Sequence, residues 1–213
     1  MRVLLTGFEP FGGEQINPSW LAVQGVSALV PHLDIVCHQL PTVFGAALEE
    51  LRVAIEDHNP RVVICTGQAG GRPCISLERV AINLMDARIP DNAGQQPLDE
   101  PIFEGAPAAY FTTLPVKRLR QRMIQEGIPS EISYTAGTFV CNDVFYGLMH
   151  DLSTRSPGII GGFVHVPYLP EQVAARTWEP SMSLSNITRA LAILAEESTK
   201  NPEDIRALGG TIC

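Results

Sequence analysis

Short apolar runs alternate with amphipathic stretches along most of the chain. The apolar runs at residues 2–6, 33–40 and 61–66 are rich in Val, Ile and Leu and predict strands, and further strands are predicted at residues 74–84, 131–135 and 158–166. The amphipathic stretches carry apolar side chains at helical spacing and predict helices from Asn17-Pro18 onward and at residues 42–58, 115–127, 141–152 and 181–198. Residues 85–101 are polar and rich in turn formers, which predicts a loop. This alternation is typical of an α/β domain with an open, mostly parallel sheet and helices on both faces.

The predicted domain takes in residues 1–213, because neither an internal repeat nor a linker interrupts the alternation. A chain of this length buries a sizeable core without disulfide bonds. Beyond about residue 200 the sequence NPEDIRALGGTIC carries no comparable pattern. We therefore expect one domain with a loosely held C-terminal tail.

Composition narrows the classes of function. The chain has 15 Lys and Arg against 23 Asp and Glu, a formal charge of −8, which argues against a nucleic-acid-binding protein. Hydrophobic residues make up 45% of the chain, which excludes general disorder. Charged residues make up only 18%, against about 25% in a typical domain. The low charge hints that another subunit covers part of the surface.

The sequence also indicates where the protein works. Its apolar runs are all too short to span a membrane, and the N-terminal MRVLLTGFEPFGG lacks the apolar stretch of a signal peptide. Five cysteines, an odd number, are expected to be reduced thiols in a cytoplasm. Neither a CxxC pair nor HExxH occurs, so we expect no metal site.

Two reactive side chains fall at predicted strand ends, where ligands bind in open α/β sheets. Cys141 opens a helix after one strand, and a helix N-terminus favours the thiolate. His165 ends the next strand, so the two side chains are within reach of each other and suit nucleophilic catalysis. The alternative is structural: Cys141 is a small core residue and His165, between Val164 and Val166, is a satisfied buried histidine.

A third group is needed to orient the imidazole, and Glu78 is the candidate because it interrupts an apolar strand. The structural alternative for Glu78 is an ion pair with Arg79 or Arg72. Glycine-rich segments at residues 12–13, 67–71 and 161–162 match no nucleotide-binding loop, and tight turns explain them equally well.

Several long motifs resemble the pyroglutamyl-peptidase I (pyrrolidone-carboxylate peptidase) family of cysteine exopeptidases. The resemblance spans nearly the whole chain and is carried by TGFEPFGGEQINPSW, PTVF, GQAGGRPCISLERVAINLMDARIPDNAGQQP, SYTAGTFVCNDVFYGLMH and GGFVHVPYLPEQ. It implies a twisted mixed sheet between helix layers, as in purine nucleoside phosphorylase-like proteins, and a homotetramer. It also implies hydrolysis after an N-terminal pyroglutamyl residue through a thioester acyl-enzyme, with no metal or organic cofactor.

The resemblance implies roles for residues that match the family motifs. Glu78 in LERVAIN, Cys141 in GTFVCN and His165 in FVHVPY match the Glu-Cys-His triad. For the pyroglutamyl ring, the resemblance suggests the substrate-binding residues Phe8, Phe11, Asn17, Gln68 and Arg88.

Those substrate-binding roles leave alternatives open. Phe8 and Phe11 resemble aromatic walls and Asn17 resembles a polar partner, although Asn17 equally suits the N-cap of the helix after Pro18. Gln68 and Arg88 support either the oxyanion or the ring. The tail after about residue 200 matches no family motif, which leaves the role of Cys213, including an intersubunit disulfide, open.

Two other classes of function stay in view at this point. A nucleoside phosphorylase-like enzyme on a similar fold would need phosphate-binding Arg or Ser groups in place of a nucleophile. A non-catalytic binding module would make the set of Glu78, Cys141 and His165 an accident.

Overall fold

The apolar runs form the strands of a central six-stranded sheet. The computed structural model describes residues 1–156, 158–176, 178–200 and 203–210. Eight strands occur in these residues: β1 (Arg2–Phe8), β2 (Asp34–Leu40), β3 (Val62–Gln68), β4 (Ile75–Glu78), β5 (Val80–Ile82), β6 (Ala109–Phe111), β7 (Ser130–Ser133) and β8 (Ile160–Val166). The main sheet has the order β2-β1-β3-β8-β4-β7, and β5 pairs with β6 in a separate ribbon.

Strand direction makes the sheet mixed. Strands β2, β1, β3 and β8 run parallel, so the carboxyl ends of β3 and β8 lie side by side. Strand β4 runs antiparallel to β8 and parallel to β7. The prediction of a twisted mixed α/β sheet is confirmed.

Helices cover both faces of the sheet, as predicted. The helices of the described residues are α1 (Pro18–Leu29), α2 (Ala46–His58), α3 (Val116–Gln125), α4 (Val140–Thr154) and α5 (Leu184–Lys200). Alternate strand residues face opposite sides: Val3 and Leu5 belong to the core beneath α1, α3 and α5, whereas Leu4 belongs to the core beneath α2 and α4. The second of these cores contains Phe163, and it borders the candidate site.

Two predicted boundaries are wrong. The single strand expected at residues 74–84 is two strands, because the chain leaves the main sheet at Arg79 and pairs next with β6. The helix expected from Thr42 begins at Ala46, because the Asp91 carboxylate accepts from Phe44 N at 2.9 Å and Gly45 has a φ of +70°. In both places, contacts between distant segments decide where the element ends.

The segment after α5 follows a defined path across α3. Helix α3 has no side-chain cap of its own, since Pro115 occupies its N-cap position. Instead the Asp204 carboxylate accepts from Lys117 N at 3.2 Å and from Arg118 N at 2.9 Å. Tyr134 Oη donates to Gly209 O at 3.0 Å. The looseness predicted for this tail concerns its mobility and stays a prediction, and Cys213 lies outside the described residues.

We expect Asp204→Ala to lower the free energy of unfolding by about 0.5–2 kcal/mol, the usual effect of losing a helix cap. Asp204→Asn is the matched control, because an amide oxygen still accepts from the helix and keeps most of the stability. Urea unfolding of the full chain measures both variants. Equal stability of the Asp204→Ala variant and the unmodified chain would show that this contact contributes nothing.

Candidate active site

Cys141 lies in the first turn of α4, with its thiol against the end of β3. The approach is close: a Cβ atom built on Gly67 would lie 2.7 Å from Cys141 Sγ. Only glycine therefore leaves room for the thiol at this point. Gly67 pairs with His165 in the register of β3 and β8. The thiol and the imidazole thus lie at one edge of the sheet. The predicted reason is wrong, because β7, the strand before Cys141, is not the neighbour of β8: β4 lies between them and runs antiparallel to β8.

Strand β4 brings Glu78 to the same place from the opposite direction. Ser76 pairs with His165 across β4 and β8, so Glu78, two residues further along, is the diagonal neighbour of His165 on the same face. The distance from His165 Nδ1 to Glu78 Oε1 is 2.7 Å. Glu78 is fully buried and His165 is 4% exposed, which places this hydrogen bond away from water. A buried carboxylate in this position orients the ring and leaves Nε2 to exchange a proton with another group.

The environment of Cys141 opposes ionisation of its thiol. Burial raises the pKa of Cys141 to about 12, and the negative charge of Glu78 acts in the same direction. The charge of Arg72 and a hydrogen bond from the Cys141 backbone lower the pKa, but less. Burial thus opposes the thiolate that a helix N-terminus favours, and the expectation of a thiolate stays a prediction.

Aromatic side chains pack around Phe139, which precedes Cys141 by two residues. Phe11 is half-buried, and its ring centroid lies 6.0 Å from that of Phe139, two residues before Cys141. Phe139 also packs edge-on against Phe44 at 5.2 Å. Phe8 is only 2% exposed and lies 6.4 Å from Phe163. Phe11 and Phe139 are therefore more accessible than Phe8.

The three polar residues suggested for substrate binding occupy different surroundings. Asn17 caps α1, its Oδ1 accepting from Ser19 N at 3.1 Å, so the structural alternative for Asn17 is present. Gln68 directly follows Gly67 on β3, and its Oε1 accepts from Gln172 Nε2 at 2.8 Å. Arg88 is exposed in the loop between β5 and β6, without an ion pair among the described residues. The geometry thus brings Gln68 to the thiol's edge of the sheet and leaves the role of Arg88 a prediction.

Three residues near the site were not singled out for it from the sequence. Phe139 stands in the same GTFVCN motif as Cys141, so its position was a signal that was available. Asn142 is buried and ties α4 to the chain after β4, accepting from Ile82 N at 3.1 Å and donating to Ile82 O at 2.9 Å. Arg72, considered only as an ion-pair partner, donates from Nη1 to Glu78 Oε1 at 2.6 Å.

Metal-binding clusters and membrane-spanning helices would each indicate another class of protein. Within residues 1–156, 158–176, 178–200 and 203–210, no three His, Cys, Asp or Glu side chains cluster in a way that would hold a metal ion. Over those same residues, no helix has both the length and the apolar character needed to cross a membrane.

Comparison with known proteins places this geometry in a family. The family model described as pyroglutamyl peptidase matches residues 1–201. The pyrrolidone-carboxylate peptidase of Bacillus subtilis (strain 168) is 54% identical over 212 residues, which cover 99% of this chain and 98% of the relative. That of Enterococcus faecalis is 51% identical over 211 residues, covering 99% of each protein.

Solved structures agree with the sequence matches. A crystal structure of pyroglutamyl peptidase I from Bacillus amyloliquefaciens superimposes with a TM-score of 0.93 at 54% identity, covering 97% of this chain and 98% of that one. A mutant pyrrolidone carboxyl peptidase from Pyrococcus furiosus gives a TM-score of 0.90 at 41% identity, covering 95% and 100%. The chain therefore belongs to the pyroglutamyl peptidase family, cysteine peptidases that remove an N-terminal pyroglutamyl residue.

Proposed function

We propose that Cys141 is the nucleophile, His165 the general base and acid, and Glu78 the acid that orients the imidazole. The 2.7 Å hydrogen bond between His165 Nδ1 and the fully buried Glu78 carries this proposal. It fixes the tautomer that presents Nε2 toward the site. The thiol of Cys141 lies over Gly67, the register partner of His165, which supports transfer of the thiol proton to that nitrogen.

Acylation begins with the neutral thiol. His165 Nε2 takes the proton of Cys141 as Sγ attacks the pyroglutamyl carbonyl carbon, so the raised pKa of the thiol makes this base essential. The carbonyl oxygen becomes an oxyanion, and we assign its stabilisation to backbone N–H groups in the first turn of α4. The C–N bond then breaks, the imidazolium protonates the leaving amine, and a thioester to Sγ remains.

Deacylation repeats the sequence with water. His165 removes a proton from a water molecule as that water attacks the thioester carbonyl. The C–S bond breaks, pyroglutamic acid leaves, and the imidazolium returns the proton to Cys141. Glu78 stabilises the imidazolium in both halves of the reaction through its contact with Nδ1. The cycle needs neither a metal nor an organic cofactor.

The substrate is a peptide whose N-terminal residue is a flat, uncharged lactam. We assign the walls of its pocket to Phe11 and Phe139, whose ring centroids lie 6.0 Å apart, whereas Phe8 packs against Phe163 in the core. Gln68, at the end of β3, is the polar group best placed to meet the lactam. An apolar slot with few neutral polar groups accepts such a ring without burying a charge.

The triad predicts a large effect of Glu78→Gln. The substitution keeps the shape of the side chain but removes the charge that stabilises the imidazolium and sets its tautomer. We expect kcat to fall by a factor on the order of 10²–10⁴. The rate of amine release from a pyroglutamyl amide at saturating substrate measures kcat. A loss below about threefold would make Glu78 only a structural ion-pair residue.

We propose in addition that the enzyme acts as a homotetramer in the cytoplasm, without a nucleic-acid partner. Cys37, Cys65, Cys74 and Cys141 are all free thiols, which suits a reducing compartment. The net charge of −8 opposes binding to nucleic acid. Apolar side chains such as Leu98, 67% exposed, offer surface for contacts between subunits.

A further inference from the structure

The buried carboxylate of Glu78 has two partners on one oxygen. Glu78 Oε1 accepts from His165 Nδ1 at 2.7 Å and from Arg72 Nη1 at 2.6 Å. The other oxygen, Oε2, is buried and has no hydrogen-bond partner among the described residues. A fully buried carboxylate is costly to keep ionised unless a positive charge is in contact with it. Arg72 supplies that charge.

Resting on the triad proposed above, we infer that Arg72 is a positioning residue that keeps Glu78 ionised and holds its Oε1 against His165. Arg72 acts through the carboxylate and does not reach the reacting atoms itself. The interpretation of Glu78 as an ion-pair residue and its interpretation as an orienting acid are thus two aspects of one arrangement.

Arg72 is itself held in place on two sides. Its Nη2 donates to Thr135 O at 2.8 Å, and its Nη1 lies 3.3 Å from Ser133 Oγ. A guanidinium group reaches several acceptors at once in a fixed plane, which an ammonium group does not. The contacts with the end of β7 therefore fix the guanidinium at the position where the Glu78 carboxylate requires it.

The turn after β3 explains how Arg72 reaches the carboxylate. Gly71 has a φ of +82°, a conformation that favours glycine. At Gly70 the backbone packs directly on Tyr168, where a Cβ atom would lie 2.2 Å from the phenolic oxygen. These glycines let the chain double back from Gln68 so that Arg72 meets the strand that carries Glu78. The glycine-rich segment singled out in the sequence thus serves the triad and not a phosphate.

Three charged or titratable groups face Glu78 in the site: Arg72 from the turn, His165 from β8 and Cys141 from α4. Glu78 raises the pKa of the Cys141 thiol and Arg72 lowers it. Loss of Arg72 removes the permanent positive charge from the buried carboxylate and leaves the His165 imidazole as the hydrogen-bond partner of Oε1, which favours the neutral carboxyl. A protonated Glu78 no longer stabilises the imidazolium that both steps of the reaction require.

The test is the pH profile of kcat/KM for Arg72→Met on a pyroglutamyl amide. We expect the acid limb to move up by about 1–3 pH units, the usual effect of one adjacent charge. Activity near pH 6.5 falls at least about tenfold, as for a lost hydrogen bond to a charged group, and recovers at higher pH. Arg72→Lys keeps the charge but not the fork, so its acid limb lies between those of the unmodified enzyme and Arg72→Met.

Arg79→Met is the matched control. Arg79 is the arginine next to Glu78 in the chain, but its guanidinium lies 5.3 Å from the centroid of the Phe111 ring. We expect the acid limb of the kcat/KM profile of Arg79→Met to lie at the same pH as that of the unmodified enzyme. The position of a limb does not depend on the amount of folded enzyme, so partial unfolding of a variant does not imitate the effect.

A double variant separates this inference from the proposed function. Because Arg72 acts through the carboxylate, Arg72→Met combined with Glu78→Gln should lose little more activity than Glu78→Gln alone. Unmoved acid limbs in both Arg72 variants, or fully additive losses, would overturn the role of Arg72 while a hundredfold loss in Glu78→Gln still supports the triad. A loss below threefold in Glu78→Gln overturns the triad itself, and the role of Arg72 with it.

Discussion

Replacing Cys141 with alanine is expected to lower the rate of pyroglutamyl-amide hydrolysis by about 10⁴-fold or more, the scale seen when a nucleophile is removed. The substitution deletes one sulfur atom whose neighbour is Gly67, so little packing is lost. The folded state should persist, with a free energy of unfolding close to that of the unmodified enzyme. Initial rates and urea unfolding on the same preparation separate lost chemistry from lost structure.

The effect of pH on stability gives an independent check of the Cys141 environment. Burial raises the pKa of Cys141 from 9.0 to about 12. Between those two values the unfolded chain releases the thiol proton and the folded chain retains it, so this group lowers stability as pH rises above 9.0. The alanine variant should therefore lose less stability above that pH.

Cys65→Ala is the control for the loss of activity expected in Cys141→Ala. Cys65 is fully buried on β3, and burial raises its pKa to about 12. We expect its removal to cost about 1 kcal/mol through the small cavity that remains, with unchanged activity per folded molecule. Activity of Cys141→Ala near that of the unmodified enzyme, or loss of activity in Cys65→Ala without loss of folding, would contradict the assignment of the nucleophile.

Most of the fold could be predicted because burial on both faces leaves a strong pattern. Strands β1, β3 and β8 are buried along nearly their whole length and are rich in apolar side chains, and the helices between them carry apolar stripes. The sequence-based prediction fails where tertiary contacts determine where an element begins or ends. The sequence carries no turn signal at Arg79, where one predicted strand becomes two, and β6 is too short, at three residues, for a pattern.

The candidate site could also be predicted in part. The rule that ligands bind at the carboxyl ends of parallel strands pointed to Cys141 and His165. The strand that brings the thiol beside His165 is β3, through Gly67, and not β7 as the chain order suggested. Glu78 was found because a charge stood in an apolar strand. The shift of the thiol's pKa was not predictable, because the helix N-terminus is visible in the sequence whereas the depth of burial is not. Arg72 was considered only as one of two ion-pair partners for Glu78, since its path depends on the geometry of the turn after β3.

The preference for pyroglutamyl over prolyl and glutamyl amides is expected to be at least a factor on the order of 10³ in kcat/KM. A prolyl amide has the same five-membered ring but carries a positive charge and lacks the lactam carbonyl. It would bring an unpaired ammonium group between Phe11 and Phe139 and leave the polar partner in the pocket unsatisfied. A site built to hydrogen-bond its substrate rejects an analogue without that group by about 10⁴-fold or more.

The carboxylates of the N-terminal loop do not offset that ammonium group, because both already have partners. Glu9 Oε1 accepts from Thr42 N at 3.0 Å and from Asn92 Nδ2 at 2.8 Å. The Glu14 carboxylate pairs with Arg176 at 3.2 Å. To bind a charged N-terminus, one of these contacts would have to break and leave its own donor unsatisfied. The same argument applies to a glutamyl amide, which has an α-ammonium group and no ring.

Measuring kcat/KM for the three amides tests this specificity. A substitution in the pocket tests whether Phe11 contributes to it. We expect Phe11→Ala to raise KM for the pyroglutamyl amide and to narrow its preference over the prolyl amide, because the accessible wall is lost. Phe111→Ala is the control, since Phe111 is an exposed aromatic residue on β6 that belongs to the separate ribbon. Phe111→Ala should leave both the KM for the pyroglutamyl amide and the preference over the prolyl amide unchanged. Comparable kcat/KM for prolyl and pyroglutamyl amides in the unmodified enzyme would show that the pocket does not recognise the lactam.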